Sequence, residues 1–179
     1  MIQDLTTYKT PEGFRGRSLF VVQLWEIIYS LFFKRSPRFM FGWRRFLLRS
    51  FGAKIGKNVL IRPSAKITYP WKVTIGESSW VGDNAVLYSL GEIQIGSNTV
   101  ISQRCYLCTA SHKYDDPSFP IYSKKITIGS ECWLATDVYV APGISIDNSC
   151  VVGARSSVFT NLDPKKVYIG SPAKYLKER

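Results

Sequence analysis

His112 is the single histidine of the 179-residue chain, and four cysteines accompany it: Cys105, Cys108, Cys132 and Cys150. These residue types can act as bases, nucleophiles or metal ligands. A neutral imidazole, which titrates near pH ~6.5 when free, can accept a proton from a hydroxyl or an amine. Cys105 and Cys108 have the C-x-x-C spacing of a metal knuckle. A structural zinc site draws on about four such ligands, and here no second pair follows. The sequence therefore predicts no metal. What remains is the chemistry of one base, and the next concern is the scaffold that holds it.

That scaffold is written as a repeat. Aliphatic residues recur every sixth position in blocks: Ile55, Ile61, Ile67; Ile75, Val81, Leu87; Ile95, Ile101, Leu107; then Ile128, Leu134, Val140, Ile146, Val152, Val158. Glycine follows directly at Gly56, Gly76, Gly96 and Gly129. A period of six fits a short strand plus a tight turn, and three such units close a triangular coil of about 18 residues. The expected fold is mainly β, a left-handed parallel β-helix of about five coils over residues 55-163. The residue four places after each aliphatic one should also face inward, where space is tight. Most residues there are small, among them Ala65, Ser79, Ala85, Thr99, Ser111, Cys105, Cys132 and Cys150. Three of the cysteines thus read as small core residues. Trp71 is too large, so its corner should deviate.

One segment breaks the period. Residues 112-125 carry Pro117, Pro120 and several charges, which predicts a projecting loop. A loop inserted in a strict solenoid is a natural functional site, and His112 opens it.

The flanks are different. Residues 1-54 form an N-terminal segment outside the repeat. Ser18–Phe33 predicts an apolar helix with Ser18 as N-cap, Pro37 a break, and Trp43–Phe51 a short basic amphipathic helix. At 16 residues, the first is shorter than the ~20 of an untilted membrane span. The pair could cap the open end of the solenoid. It could instead lie on a membrane surface, with Lys34, Arg35, Arg38, Arg44, Arg45 and Arg49 near anionic lipid. Residues 164-179 read as a basic tail, either solvated or clamping phosphate. The net charge of +11 asks for an anionic partner, and no nucleic-acid motif is visible. The polar first residues show no secretory signal, so a cytoplasmic location is expected, with the inner face of the membrane as its alternative.

The combined motifs resemble a known family. The repeat, His112 on its loop, Trp133, Ala141–Ile146 (APGISI) and Gly170–Lys174 (GSPAK) look like the hexapeptide acetyltransferases of the galactoside and maltose acetyltransferase type. Gly42–Gly56, Tyr69–Trp71 (YPW) and Tyr106–Phe119 (YLCTASHKYDDPSF) are similar to colanic acid biosynthesis acetyltransferases of exopolysaccharide clusters. The resemblance implies transfer of an acetyl group from acetyl-CoA to a sugar hydroxyl, in a homotrimer with sites between subunits. It makes His112 the base and gives Asn84 an acceptor-binding place. It sets Trp133, Thr136 and Ala154 along the pantetheine channel, and Lys174 and Lys177 against the CoA phosphates. The acceptor would be a sugar or a lipid-linked saccharide. The chain departs from many members at Phe159–Thr160, where they carry Thr-Lys.

Two other readings stand beside this one. The acceptor could be an amino sugar or another small amine. Alternatively, the β-helix could be a non-catalytic scaffold. A β-helix carbonic anhydrase would need three histidines, which this chain lacks.

Overall fold

The computed structural model describes residues 2–179. Its body is a parallel β-solenoid with three flat faces. Face A stacks Lys54–Ile55, Val73–Ile75, Ile93–Ile95, Ile126–Ile128 and Ser145–Ile146. Face B stacks Leu60–Ile61, Trp80–Val81, Val100–Ile101, Trp133–Leu134, Val151–Val152 and Lys166–Ile169. Face C stacks Lys66–Ile67, Val86–Tyr88, Tyr106–Cys108, Tyr139–Val140 and Ser157–Val158. Every aliphatic residue of the six-residue period is buried in one core.

The corners explain the small residues. The inward side chains Ser79, Thr99, Cys132 and Cys150 form a column, each donating to a turn carbonyl of the next coil: Gly96, Gly129, Asp147 and Asp163, at 2.7, 2.8, 3.0 and 3.0 Å. A hydroxyl or thiol there is the smallest group that can satisfy a buried carbonyl. Cys105 does the same toward Ala135 at the next corner, and burial pushes its thiol up to about 11. The Cys105 thiol therefore stays protonated and unreactive at neutral pH. Cys105 points inward while Cys108 is half-buried on the outside, so the C-x-x-C pair does not converge. A Cβ on Gly76 would lie 2.5 Å from the Ser97 amide of the next coil, which accounts for glycine after the aliphatic residue.

Three expectations need correction. The solenoid has six turns rather than five: Leu162 bridges to Ile146, and Val167–Tyr168 pairs in parallel with Val151–Val152. Segment 164–179 then folds into an antiparallel hairpin, Lys166–Ile169 with Lys174–Glu178, on face B. Ser111 is exposed instead of inward, because the excursion begins at Ala110 and the buried residue of that corner is Thr109. Trp71 deviates as expected, in a short turn where its ring stacks on Tyr69 at 5.0 Å.

The helices close the first coil. Helix α1 spans Leu19–Ile28, capped by Ser18, and runs into a wider turn, Tyr29–Phe33. Helix α2 spans Phe41–Ser50. The first coil's lower edge would leave carbonyls unpaired. Trp25 Nε1 donates to Ile67 O at 2.9 Å, Arg44 Nε to Ile61 O at 2.6 Å, Arg45 to Val59 O at 2.9 Å and Arg49 to Ile55 O at 2.6 Å. These arginines are therefore committed to the solenoid, not to lipid, which corrects their expected place among the membrane-facing charges. Arg44 is fully buried without a carboxylate; it donates also to Ser36 Oγ and to the carbonyls of Pro37 and Arg38. No helix among the described residues is long and apolar enough to cross a membrane.

Candidate active site

His112 ends the strand Ala110–His112, which pairs antiparallel with Ile121–Ser123, His112 opposite Ile121. This hairpin leaves the corner between faces C and A. Nδ1 of His112 lies 2.8 Å from the carbonyl oxygen of Phe119. A carbonyl can only accept, so Nδ1 carries a proton, and in the neutral imidazole the lone pair is then on Nε2. The Phe119 ring stacks on the imidazole with centroids 4.3 Å apart and planes within 8°. The ring is thus fixed in tautomer and in plane.

The loop is built to deliver that carbonyl. Asp116 Oδ1 accepts from the Ser118 amide at 2.9 Å and its hydroxyl at 2.7 Å, and the Phe119 amide donates to Asp116 O at 2.8 Å. The Ser118 hydrogen bonds hold the Asp116 carboxyl below the usual carboxylate range. Phe119 itself has φ 48°, a left-handed conformation unusual for a bulky residue. Such strain costs roughly 1–3 kcal/mol and persists only where neighbours enforce it. The N-terminal segment braces the loop from outside: the Asp4 amide donates to Pro117 O at 2.7 Å, and the Tyr8 ring lies 6.1 Å from that of His112. Neither Phe119, Asp116 nor Tyr8 was singled out by the sequence. Phe119 acts through a backbone atom seven residues away, which leaves no side-chain signature.

The other expected site residues fall on a different edge. Asn84 occupies the second-coil corner between faces B and C, exposed, at φ 57°. Thr136 is on the same edge two coils on, its hydroxyl donating to Gln103 O at 3.1 Å and its carbonyl accepting from the Arg155 amide at 2.9 Å. Ala154 is exposed one coil further. Trp133 stands half-exposed on the outer side of face B, between Val100 and Val151, with Nε1 donating to Ser102 Oγ at 3.0 Å. Lys174 and Lys177 are exposed on the closing hairpin, beside Ile169 and Val167. These six residues follow face B and its edge upward; His112 is at another corner. The described chain brings the first group together and leaves the histidine apart from it.

A groove of about 510 Å³ lies against face B beside Asn84, walled by Phe41, Leu60, Trp80, Val100 and Ser102. Asp83 forms its polar rim and binds Ser64 Oγ at 2.9 Å, Arg38 at 3.2 Å and Arg62 at 3.6 Å. Sequence reading missed this groove because Trp80 and Leu60 are outward residues of the repeat, where the period carries no constraint.

No protein-family model matches the chain. The chain is 55% identical over 178 residues to a protein of Escherichia coli K12 that carries the provisional name colanic acid biosynthesis acetyltransferase WcaF, covering 99% of this chain and 98% of that one. The fold superposes on a galactoside acetyltransferase solved in complex with coenzyme A, with TM-score 0.82 and 24% identity over 94% of this chain and 83% of that one. It also superposes on a maltose O-acetyltransferase from Clostridium difficile 630, with TM-score 0.81 and 22% identity over 90% and 89% of the two chains. At those identities the structures establish the shared solenoid.

Proposed function

The chain belongs to the hexapeptide-repeat acetyltransferases of the colanic acid biosynthesis group, and on that premise we propose that it moves an acetyl group from acetyl-CoA to a sugar hydroxyl of an exopolysaccharide precursor, with His112 as general base. The observation that carries this reading is the Phe119 carbonyl on Nδ1 of His112. In the neutral imidazole it puts the lone pair on Nε2, where it can take the hydroxyl proton.

The step needs no covalent enzyme intermediate. Nε2 removes the proton as the sugar oxygen attacks the thioester carbonyl. The tetrahedral oxyanion would be met by a backbone N–H near Thr136. Collapse releases the CoA thiolate, which regains the proton from the imidazolium. Trp133, Thr136 and Ala154 would line the pantetheine arm, and Lys174 and Lys177 would meet the nucleotide phosphates. A galactoside acetyltransferase of this fold holds coenzyme A, which supports that assignment. Asn84 would bind the acceptor.

His112 and the Thr136 edge are on separate corners of one chain, so the reaction calls for a second chain. The outer sides of two faces favour this. Face B presents Leu60, Trp80, Val100 and Trp133, and face C presents Tyr88, Tyr106 and Tyr139 with rings 5.9 and 6.3 Å apart. Face A presents Thr74, Gln94, Thr127 and Ser145. Two apolar faces and one polar face suit a C₃ trimer that buries the first two. Light scattering should give three times the 20.3 kDa chain mass. A stable monomer would leave His112 without a thioester to act on.

The acceptor is tested by acetyl-CoA turnover against sugar nucleotides, lipid-linked sugars and small amines. Turnover with a hydroxyl acceptor supports the O-acetyl reading. Turnover confined to amines would replace it.

A further inference from the structure

We propose that the helical end of the solenoid docks on an anionic phospholipid bilayer. The inference starts from what α1 does not bury. Its inner side packs on the solenoid: Trp25 donates to Ile67 O of the first coil, and Val22 lies in a cluster with Tyr69, Leu90 and Ala110. Phe20, Leu24, Ile27 and Leu31, spaced four, three and four, share the opposite side and are exposed. Phe39, just before α2, and Phe46, within it, are exposed at 80% and 57%, and Phe20 at 75%. Both helices bond to the first coil, and Trp43 of α2 donates to Phe32 O at the end of α1, so these exposed residues belong to one helical layer, an apolar plateau on that part of the solenoid.

Charge selects the occupant. Residues 17–50 hold seven basic residues and one acidic residue, Glu26. Arg44, Arg45 and Arg49 serve the first coil, and Arg38 pairs with Asp83. Lys34 and Arg35 remain exposed at the end of α1's apolar surface, with Arg17 at its start. An apolar surface edged by cations matches the interface of an anionic bilayer, where aromatic and aliphatic side chains enter and Lys and Arg stay with the headgroups. A second copy of the same plateau would bring like charges together, so end-to-end pairing is disfavoured. In the C₃ trimer proposed above, parallel solenoids turn all three plateaus to one plane and multiply weak contacts. That gain rests on the trimer; the docking of a single plateau does not depend on it or on the acetyl-transfer reading.

The test is co-sedimentation of the full chain with vesicles of phosphatidylcholine alone and of phosphatidylcholine with phosphatidylglycerol. The chain should bind the second kind, and raising salt to about 0.5 M should release it. Phe20→Ser/Phe39→Ser should lower binding about tenfold or more while keeping the wild-type mass and thermal transition, because both side chains are solvated in the chain alone. Arg35→Glu should weaken binding to the anionic vesicles in the same direction. Equal binding to both vesicle types, binding unchanged in either variant, or no binding at low salt would overturn the proposal. So would a concentration-dependent doubling of mass that Phe20→Ser/Phe39→Ser abolishes, which would assign the plateau to a second copy.

Discussion

Phe119 accepts the Nδ1 proton of His112 at 2.8 Å through its backbone carbonyl, while its own ring lies flat on the imidazole. One residue thus sets both the tautomer and the plane of the candidate base. Phe119 does so from a left-handed backbone conformation that Asp116 and Ser118 hold in place.

Asp116 is accordingly a positioning residue. Asp116→Ala removes the acceptor for Ser118 and should let the Phe119 carbonyl drift. The expected result is a fall in kcat of about tenfold with KM for acetyl-CoA unchanged, since the loop does not carry the cofactor residues. Asp116→Asn, which keeps one acceptor oxygen, should recover most of the loss. A purely structural role would instead appear as a lower melting temperature with normal kcat.

Asn84 has two reasons to be asparagine, and substitutions can separate them. Its φ of 57° favours Asn or Gly over other residues. Asn84→Gly keeps that conformation and removes the amide, so it should raise KM for the acceptor with little change in stability. Asn84→Ala should show the same KM effect and an added loss of about 1 kcal/mol. Equal acceptor KM in wild type and Asn84→Gly would leave Asn84 as a corner residue only.

The closing hairpin gives a third outcome. Lys174→Ala/Lys177→Ala should weaken acetyl-CoA binding by roughly 1–3 kcal/mol, measured by calorimetry, while the hairpin stays paired. Unchanged affinity would make both side chains solvated surface.

Arg44 tests the cap. Arg44→Leu leaves the carbonyls of Ile61, Pro37 and Arg38 without their donor in a dry setting. Chemical denaturation should register a loss of roughly 1–3 kcal/mol, the cost of leaving buried acceptors unpaired. A neutral effect would mean water replaces the guanidinium.

Much of this was legible in the sequence. The six-residue period specified the solenoid because each coil repeats the same geometric demand: aliphatic inside, glycine where the next coil touches, small donors at the corner. The break in that period exposed His112. The sixth turn was hidden because Leu162 follows Val158 by four residues and its partner on face B is Tyr168, an aromatic in an aliphatic register. The sequence leaves the arginines of α2 between the solenoid end and a lipid surface because composition records their charge and not its direction; their donors meet carbonyls, which carry no sequence signal. The Phe119 carbonyl was invisible for the same reason.

The most direct measurement is the steady-state rate of acetyl transfer by His112→Ala. His112 is the only histidine, so no other imidazole can replace it. Its side chain is partly exposed on a projecting hairpin, so the oligomer mass and thermal transition should hold. The account requires a loss in kcat of about 10²–10⁴-fold with acetyl-CoA affinity retained. Near-normal transfer by His112→Ala would contradict the account.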